Sequence, residues 1–251
     1  MPRALSVALI DVGGTLWPNS WPFRETDAAG RLARLGRALP HLAAAVVLAL
    51  GEDLIASSRP GDLARSTSTE NAVSLNTPAE TLISACLERQ GLPCDAATIR
   101  GIRRAMAIPI DEGFQPLPGA GELLQTIRGL GLRNVITSNT YWRDADSYWD
   151  DFRMLGMAEL IDDVVTSVDA GHLKPHPAVF ELAMQRAGVA PEQCVVIGNR
   201  EENDVEPALA LGMRTILVYP DDPKPEHSRA DAVAPDLWAC ANAVRDMLER
   251  S

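Results

Sequence analysis

Leu5-Ser6-Val7-Ala8-Leu9-Ile10 runs directly into Asp11-Val12-Gly13-Gly14-Thr15-Leu16. Six residues that suit a buried strand thus lead to a carboxylate, two glycines and a hydroxyl. A buried parallel strand delivers its C-terminal residue to the crevice where open α/β sheets hold ligands, so Asp11 is expected where chemistry is done. The glycines let the backbone turn tightly and present N–H groups to an anion. By itself the stretch fits a strand, a turn and a capping aspartate equally well. The rest of the chain separates the two readings.

From Phe23 to about Ile108 no strand is predicted. Arg24–Leu39, Leu42–Ala56, Pro78–Gln90 and Ala96–Ala107 each carry apolar residues at three- and four-residue spacing, which predicts helices. Thr77-Pro78 followed by Glu80 marks a helix start. Residues 57–62 and 66–69 read as connecting loops. Pro116-Leu117-Pro118-Gly119 then marks a boundary, and beyond it the pattern alternates. Strands are predicted at Arg133–Thr137, Asp163–Thr166, Cys194–Ile197 and Arg214–Val218. Helices are predicted at Gly119–Leu130, Arg143–Leu155, Ala178–Ala187, Asn203–Leu211 and Asp236–Leu248. Such alternation implies a parallel sheet covered by helices on both faces, a Rossmann-like α/β fold. Residues 1–18 and 113–251 would form this core, and 19–112 an inserted all-helical domain. Gly119-Ala120-Gly121 follows prolines rather than a strand, so it is not a dinucleotide loop.

The 251 residues are enough for a sizeable core. A formal net charge of −11 argues against nucleic acid or an anionic membrane as partner, but not against a small anionic substrate met by local positive charge. Cys86, Cys94, Cys194 and Cys240 form no CxxC pair and read as reduced core thiols. With no signal-peptide pattern at the N-terminus, they suggest a cytoplasmic protein. Of the 23 basic residues only Lys174 and Lys224 are lysine, which gives each a stronger claim to a specific role. Tyr141, Trp142, Tyr148 and Trp149 repeat at seven residues, which on a helix places each pair on one stripe, either in the core or at an interface. The sequence leaves the oligomeric state open.

The strand ends carry the functional content. Ser138-Asn139 follows one strand, Gly171-His172-Leu173-Lys174-Pro175 precedes a helix, and Gly198-Asn199 through Asn203-Asp204 follows another strand. All would converge on one crevice and suit the handling of an oxyanion, most simply a phosphoryl group. In this order the segments resemble the four motifs of the haloacid dehalogenase superfamily of hydrolases. Asp11-Val12-Gly13-Gly14-Thr15 matches the first motif, Ser138-Asn139 the second, Lys174-Pro175 the third, and Gly198-Asn199 with Asn203-Asp204 the fourth. The inserted helices match the cap found in one large branch of the family.

The resemblance implies roles residue by residue. Asp11 would be the nucleophile that forms a covalent aspartyl intermediate, with Thr15 buttressing its loop. Ser138 (with the adjoining Asn139) and Lys174 would hold the oxygens of the transferring group. Mg²⁺ would be held by Asp11, the backbone carbonyl of Gly13, Asn199 and Asp204. Two positions depart from the pattern. Gly13 stands where the family has its general acid/base aspartate, a role worth about 10²–10⁴-fold. Asn199 stands where it has a metal-binding acid, although a neutral amide oxygen still suits Mg²⁺.

Several readings therefore stay open. One is a Mg²⁺-dependent phosphatase of a small phosphorylated metabolite, its acid/base role lost or moved to Glu201, Glu202 or the cap. Another is a carbon–halogen hydrolase, whose leaving halide needs no proton, with Arg24, Arg31, Arg34 or Arg37 as candidate halide ligands. A third is a catalytically impaired binding protein of the same fold. A carbon–phosphorus hydrolase that forms a Schiff base on a cap lysine is disfavoured, because residues 17–116 contain no lysine.

Overall fold

The computed structural model describes residues 4–18, 28–57, 79–110, 113–220 and 222–250. Six parallel strands form one sheet: β1 (Val7–Ile10), β2 (Arg133–Ser138), β3 (Asp163–Thr166), β4 (Cys194–Gly198), β5 (Arg214–Val218) and β6 (Ala232–Ala234). Their order is β3-β2-β1-β4-β5-β6. The direction of winding reverses between β1 and β4, the switch point where such sheets open a crevice at their strand C-termini. Ile10 lies in register between Ile136 of β2 and Ile197 of β4, so Asp11 emerges there.

The sequence of β1 explains its central place. Val7 and Leu9 point to one face, Ala8 and Ile10 to the other, and all four are fully buried. A strand covered on both faces must be apolar throughout rather than alternating. On one face Ala8, Ile10, Ile136 and Ile197 pack with α5 (Ala120–Gly129), α6 (Ala145–Met154) and α10 (Leu237–Glu249). On the other, Val7, Leu9, Val135 and Val196 pack with Phe180 and Ala183 of α8 (Ala178–Ala187) and Ala208 of α9 (Glu206–Ala210). Burying a side chain such as Phe180 contributes about 1.5–3 kcal/mol. The short α7 (Ser167–Ala170) follows β3 behind a reciprocal cap between Thr166 and Asp169.

Four further helices, α1 (Ala28–Ala38), α2 (Ala44–Ser57), α3 (Ala79–Arg89) and α4 (Ala96–Met106), have an apolar centre of their own. Leu35, Leu50, Leu54, Ile83 and Ile102 are fully buried in it. The chain leaves β1 for this block and returns beside its exit, where Leu117 N–H donates to the Leu16 carbonyl at 2.8 Å. Trp142, from the segment after β2, inserts into the block's centre. Arg103 and Arg104 of α4 reach Asp144 and Asp150 at 2.6 and 2.5 Å, and Arg143 bonds the Ile108 carbonyl. The block thus contacts the sheet domain through residues beyond the C-terminal end of β2.

Four expectations need correction. A sixth strand, Ala232–Ala234, extends the sheet beyond β5. It is too short to show a period and is defined only by pairing. Tyr141 and Trp142 precede α6, which begins after the capping Asp144, so they do not share a helical stripe with Tyr148 and Trp149. Trp142 joins the helical block, whereas Tyr148 packs with Trp17 and Phe152. Cys94 is exposed, so only Cys86, Cys194 and Cys240 are core thiols. The helix predicted from Asn203 is instead a wide π-helical turn, Glu201–Val205, followed by α9. Arg24, the Thr77-Pro78 start and the loop residues 58–62 and 66–69 lie outside the described residues. Among the described residues no helix is long and apolar enough to cross a membrane.

Candidate active site

Asp11 continues the line of β1, and its N–H donates to the Ile197 carbonyl of β4 at 2.9 Å. The chain then turns on itself. Gly14 takes a φ of 79°, a left-handed conformation that favours glycine. Gly14 N–H donates to the Trp17 carbonyl, and Trp17 N–H to the Val12 carbonyl. Both bonds of this small bridge are made by Gly13's neighbours, so the Gly13 carbonyl takes no part in it. The turn brings the Thr15 hydroxyl back onto Asp11 Oδ2 at 3.2 Å.

Lys174 arrives from a position 163 residues away along the chain. Its ammonium donates to Asp11 Oδ1 at 2.9 Å, Asp204 Oδ1 at 2.6 Å and the Thr137 carbonyl at 3.1 Å. All three ammonium protons are thereby used. The lysine side chain is only 2% exposed, so its charge is held by partners rather than by water. Asn139 sets the height of this loop: its oxygen accepts Lys174 N–H at 2.7 Å and its amide donates to the Lys174 carbonyl at 2.8 Å. The Lys174–Pro175 peptide is cis. Asn139 therefore holds Lys174 from behind, a placement its neighbourhood to Ser138 did not reveal.

Asp204 is aimed inward by the π-helical turn. Its Oδ2 accepts Arg200 N–H at 3.0 Å, which leaves Oδ1 to Lys174. Gly198 is required here for space, since a Cβ would come 2.3 Å from Asp204 Cγ. Asn199, next to it, is buried; its Nδ2 donates to Asp222 Oδ2 at 3.2 Å. Asn199 Oδ1 is buried with no hydrogen-bond partner among the described residues. The Ser138 hydroxyl lies 3.0 Å from the Tyr148 hydroxyl.

Burial pushes the Asp11 carboxyl up to about 6, with the Lys174 charge pulling down against it and Asp204 adding to the rise. For Lys174 burial acts to lower the value, but the charges and bonds of the two carboxylates outweigh it and hold the ammonium above its ordinary range. Above about pH 6 the site therefore presents an anionic Asp11 beside a fixed cation.

The structure thus brings Asp11, Thr15, Lys174 and Asp204 into direct contact, with Asn139 one step behind Lys174 and Asn199 following the neighbouring strand. Tyr148 and Asp222 were not foreseen. Asp222 follows β5 and obeys the same strand-end rule as the others, but a proline-rich loop hides it. Tyr148 sits on a helix, where only the tertiary structure puts it beside Ser138. Glu201 is committed elsewhere, accepting the Ser228 hydroxyl and Arg229 N–H, each at 2.7 Å. Among the described residues no three His, Cys, Asp or Glu side chains gather where a metal could sit. Beside the carboxylates of Asp11 and Asp204, the described residues offer neutral oxygens at the Gly13 carbonyl and Asn199 Oδ1.

Residues 5–212 match the family model for haloacid dehalogenase-like hydrolases. A glyceraldehyde 3-phosphate phosphatase from Methanocaldococcus jannaschii is 32% identical over 106 residues, 42% of this chain and 45% of that protein. Haloacid dehalogenase-like hydrolase domain-containing protein 3 from Xenopus laevis is 36% identical over 107 residues, 43% of this chain and 42% of that protein. The chain thus spans about half the length of the curated relatives it matches. Among solved structures, a HAD phosphatase from Thermococcus onnurineus aligns with a TM-score of 0.57 at 18% identity, covering 96% of this chain and 98% of that one. A 2-haloacid dehalogenase from Pseudomonas syringae pv. tomato aligns with a TM-score of 0.59 at 21% identity, covering 98% of this chain and 99% of that one. These two likenesses extend over the helical block as well as the sheet. By the span of the family match, and in keeping with its fold, the chain belongs to the family of haloacid dehalogenase-like hydrolases.

Proposed function

We propose that this hydrolase is a Mg²⁺-dependent phosphatase of a small phosphorylated metabolite, with Asp11 as nucleophile and the helical block 19–112 as a cap over the crevice formed by 1–18 and 113–251. The observation that carries the reading is the Asp11 carboxylate, buried at the switch point, with one oxygen on Lys174 and the other on Thr15. Such clamping fixes the attacking oxygen before a substrate arrives. The phosphatase names of several relatives support the same bond type.

In this reading Asp11 Oδ2 attacks phosphorus, the P–O bond to the leaving oxygen breaks, the released alkoxide takes its proton from solvent, and an aspartyl phosphate forms. Water then attacks phosphorus and frees Asp11. The Ser138 hydroxyl would donate to an oxygen of the transferring group, and Lys174 would offset its charge. Mg²⁺ would be held by Asp11, Asp204, the Gly13 carbonyl and Asn199 Oδ1, and when bound it supplies positive charge beside the phosphoryl oxygens. These hard oxygen donors fit that ion, and the unpartnered Asn199 oxygen supports the fit.

No side chain at position 13 can protonate the leaving group. That absence favours a second reading, cleavage of a carbon–halogen bond, because a halide leaves without a proton. A panel of phosphate esters and haloacids, assayed with and without Mg²⁺ beside an Asp11→Asn control, separates the two. Mass spectrometry of acid-quenched enzyme is expected to find a phosphoryl adduct on Asp11; an alkyl adduct from a haloacid would establish the second reading. Gly13 does not use a left-handed backbone, so an aspartate there meets no backbone penalty. Gly13→Asp is expected to raise phosphatase turnover by up to about 10²-fold, the low end of what a placed acid/base contributes. Unchanged turnover would mean that another group already fills the role.

A further inference from the structure

We propose that Asp222 is a positioning residue that turns the Asn199 amide into a cation ligand; this rests on the Mg²⁺ reading above. Asn199 follows β4, two residues beyond Ile197, whose carbonyl accepts Asp11 N–H at 2.9 Å. It therefore lies on the neighbouring strand's exit, one residue past the level of Asp11, on the loop that also carries Asp204. An aspartate at 199 would offer an oxygen whichever way it turned. An asparagine has an acceptor side and a donor side, and only the acceptor can ligate. The amide must be told which way to face.

Asp222 supplies that instruction. As a carboxylate it only accepts, and its Oδ2 lies 3.2 Å from Asn199 Nδ2. The NH₂ group is drawn to the β5 side, and the oxygen is left buried with no partner among the described residues. An unsatisfied buried acceptor is costly to keep, and a cation shared with Asp11 and Asp204 satisfies it. Asp222 is half-buried in the segment after β5, which holds its carboxylate against the amide. Outer partners that fix the orientation of a ligand are worth about 10–100-fold in metal affinity.

The test is calorimetric titration of Mg²⁺ into the full chain, without substrate, for wild type, Asp222→Ala, Asp222→Asn, Asn199→Asp and the Asn199→Asp/Asp222→Ala double variant. Far-UV circular dichroism first establishes that each is folded. Asp222→Ala is expected to weaken Mg²⁺ binding at least about 10-fold. Asp222→Asn, which can still accept through its amide oxygen, is expected to retain most of the affinity. With aspartate at 199 there is no amide to orient, so removing Asp222 is expected to leave affinity unchanged or to raise it by relieving repulsion. The proposal is overturned if Asp222→Ala leaves wild-type affinity intact, or weakens both backgrounds equally. It is also overturned if Asp222→Asn loses as much as Asp222→Ala, because charge rather than orientation would then be at work. Wild-type protein that binds no Mg²⁺ at all overturns the metal reading itself, an outcome distinct from these.

Discussion

Lys174 is the residue on which the site's electrostatics turn. Its ammonium stands between two buried carboxylates at 2.9 and 2.6 Å, and its side chain is 2% exposed. A buried charge is tolerable only when paired, and removing one partner leaves the others uncompensated. Lys174→Met keeps the volume but leaves Asp11 and Asp204 facing each other without a cation. Urea unfolding is expected to show a loss of about 3–5 kcal/mol at neutral pH. Part of that loss should return on acidification, since protonating Asp11 relieves the repulsion. A variant as stable as wild type would mean that the ammonium is not what holds the carboxylates together. Arginine, the chain's usual cation, is a poor substitute here: its planar fork cannot place three donors around one point as an ammonium does.

At the scale of elements, the helical block and the sheet domain are joined among the described residues by side chains of α4, of the segment before α6 and of α6 itself. Asp144 is the centre of that join. It caps α6 by accepting Ser147 N–H at 3.0 Å, and it takes Arg103 from the block at 2.6 Å. Burial would raise its carboxyl, but the Ser147 N–H and hydroxyl and the Arg103 charge outweigh burial and hold it below the ordinary value of 3.8. A carboxyl lowered on folding stabilises the native state above its unfolded value and loses that contribution as pH falls through the folded one. Asp144→Ala is therefore expected to cost about 1–3 kcal/mol at pH 7, from the lost cap and the unpaired arginine. The difference from wild type should shrink as the pH drops below 3.8. Equal differences at pH 7 and pH 3 in parallel denaturant titrations would show that the carboxylate charge contributes nothing.

At the scale of the whole molecule, the centre of the sheet is assembled from distant parts of the chain. β1 pairs with β2 across the entire helical block, and with β4 nearly at the other end of the domain. Contacts of this separation cost loop-closure entropy before they are rewarded. Hydrogen exchange is expected to be slowest in Val7–Ile10, 134–138 and Cys194–Gly198, whose residues are buried throughout. The helical block, with its separate apolar centre, should exchange faster and as a unit. Mass-resolved exchange that protected the block as strongly as β1 would show that the two unfold together.

What the sequence determined by itself is whatever a short window can hold. The apolar run before Asp11, the alternation beyond Pro116, the scarcity of lysine and the order of the four motifs were all legible there, because strand and helix periods and turn chemistry are local. Within that reach the bounds of β3, β5 and α8 fell where periodicity placed them. Tertiary structure alone decided the remainder. Ala232–Ala234 is a strand because β5 lends it a partner. Tyr141 and Trp142 leave the helix because Asp144 caps it later than their spacing suggests. Asn139 was read as part of the catalytic set, and the fold makes it the clamp on the backbone of Lys174. Asp222 reaches Asn199 only because β5 lies next to β4 in the sheet. No local pattern records such a meeting, since the neighbours of a strand are chosen by the crossovers between strands, and these choose which charges share a crevice.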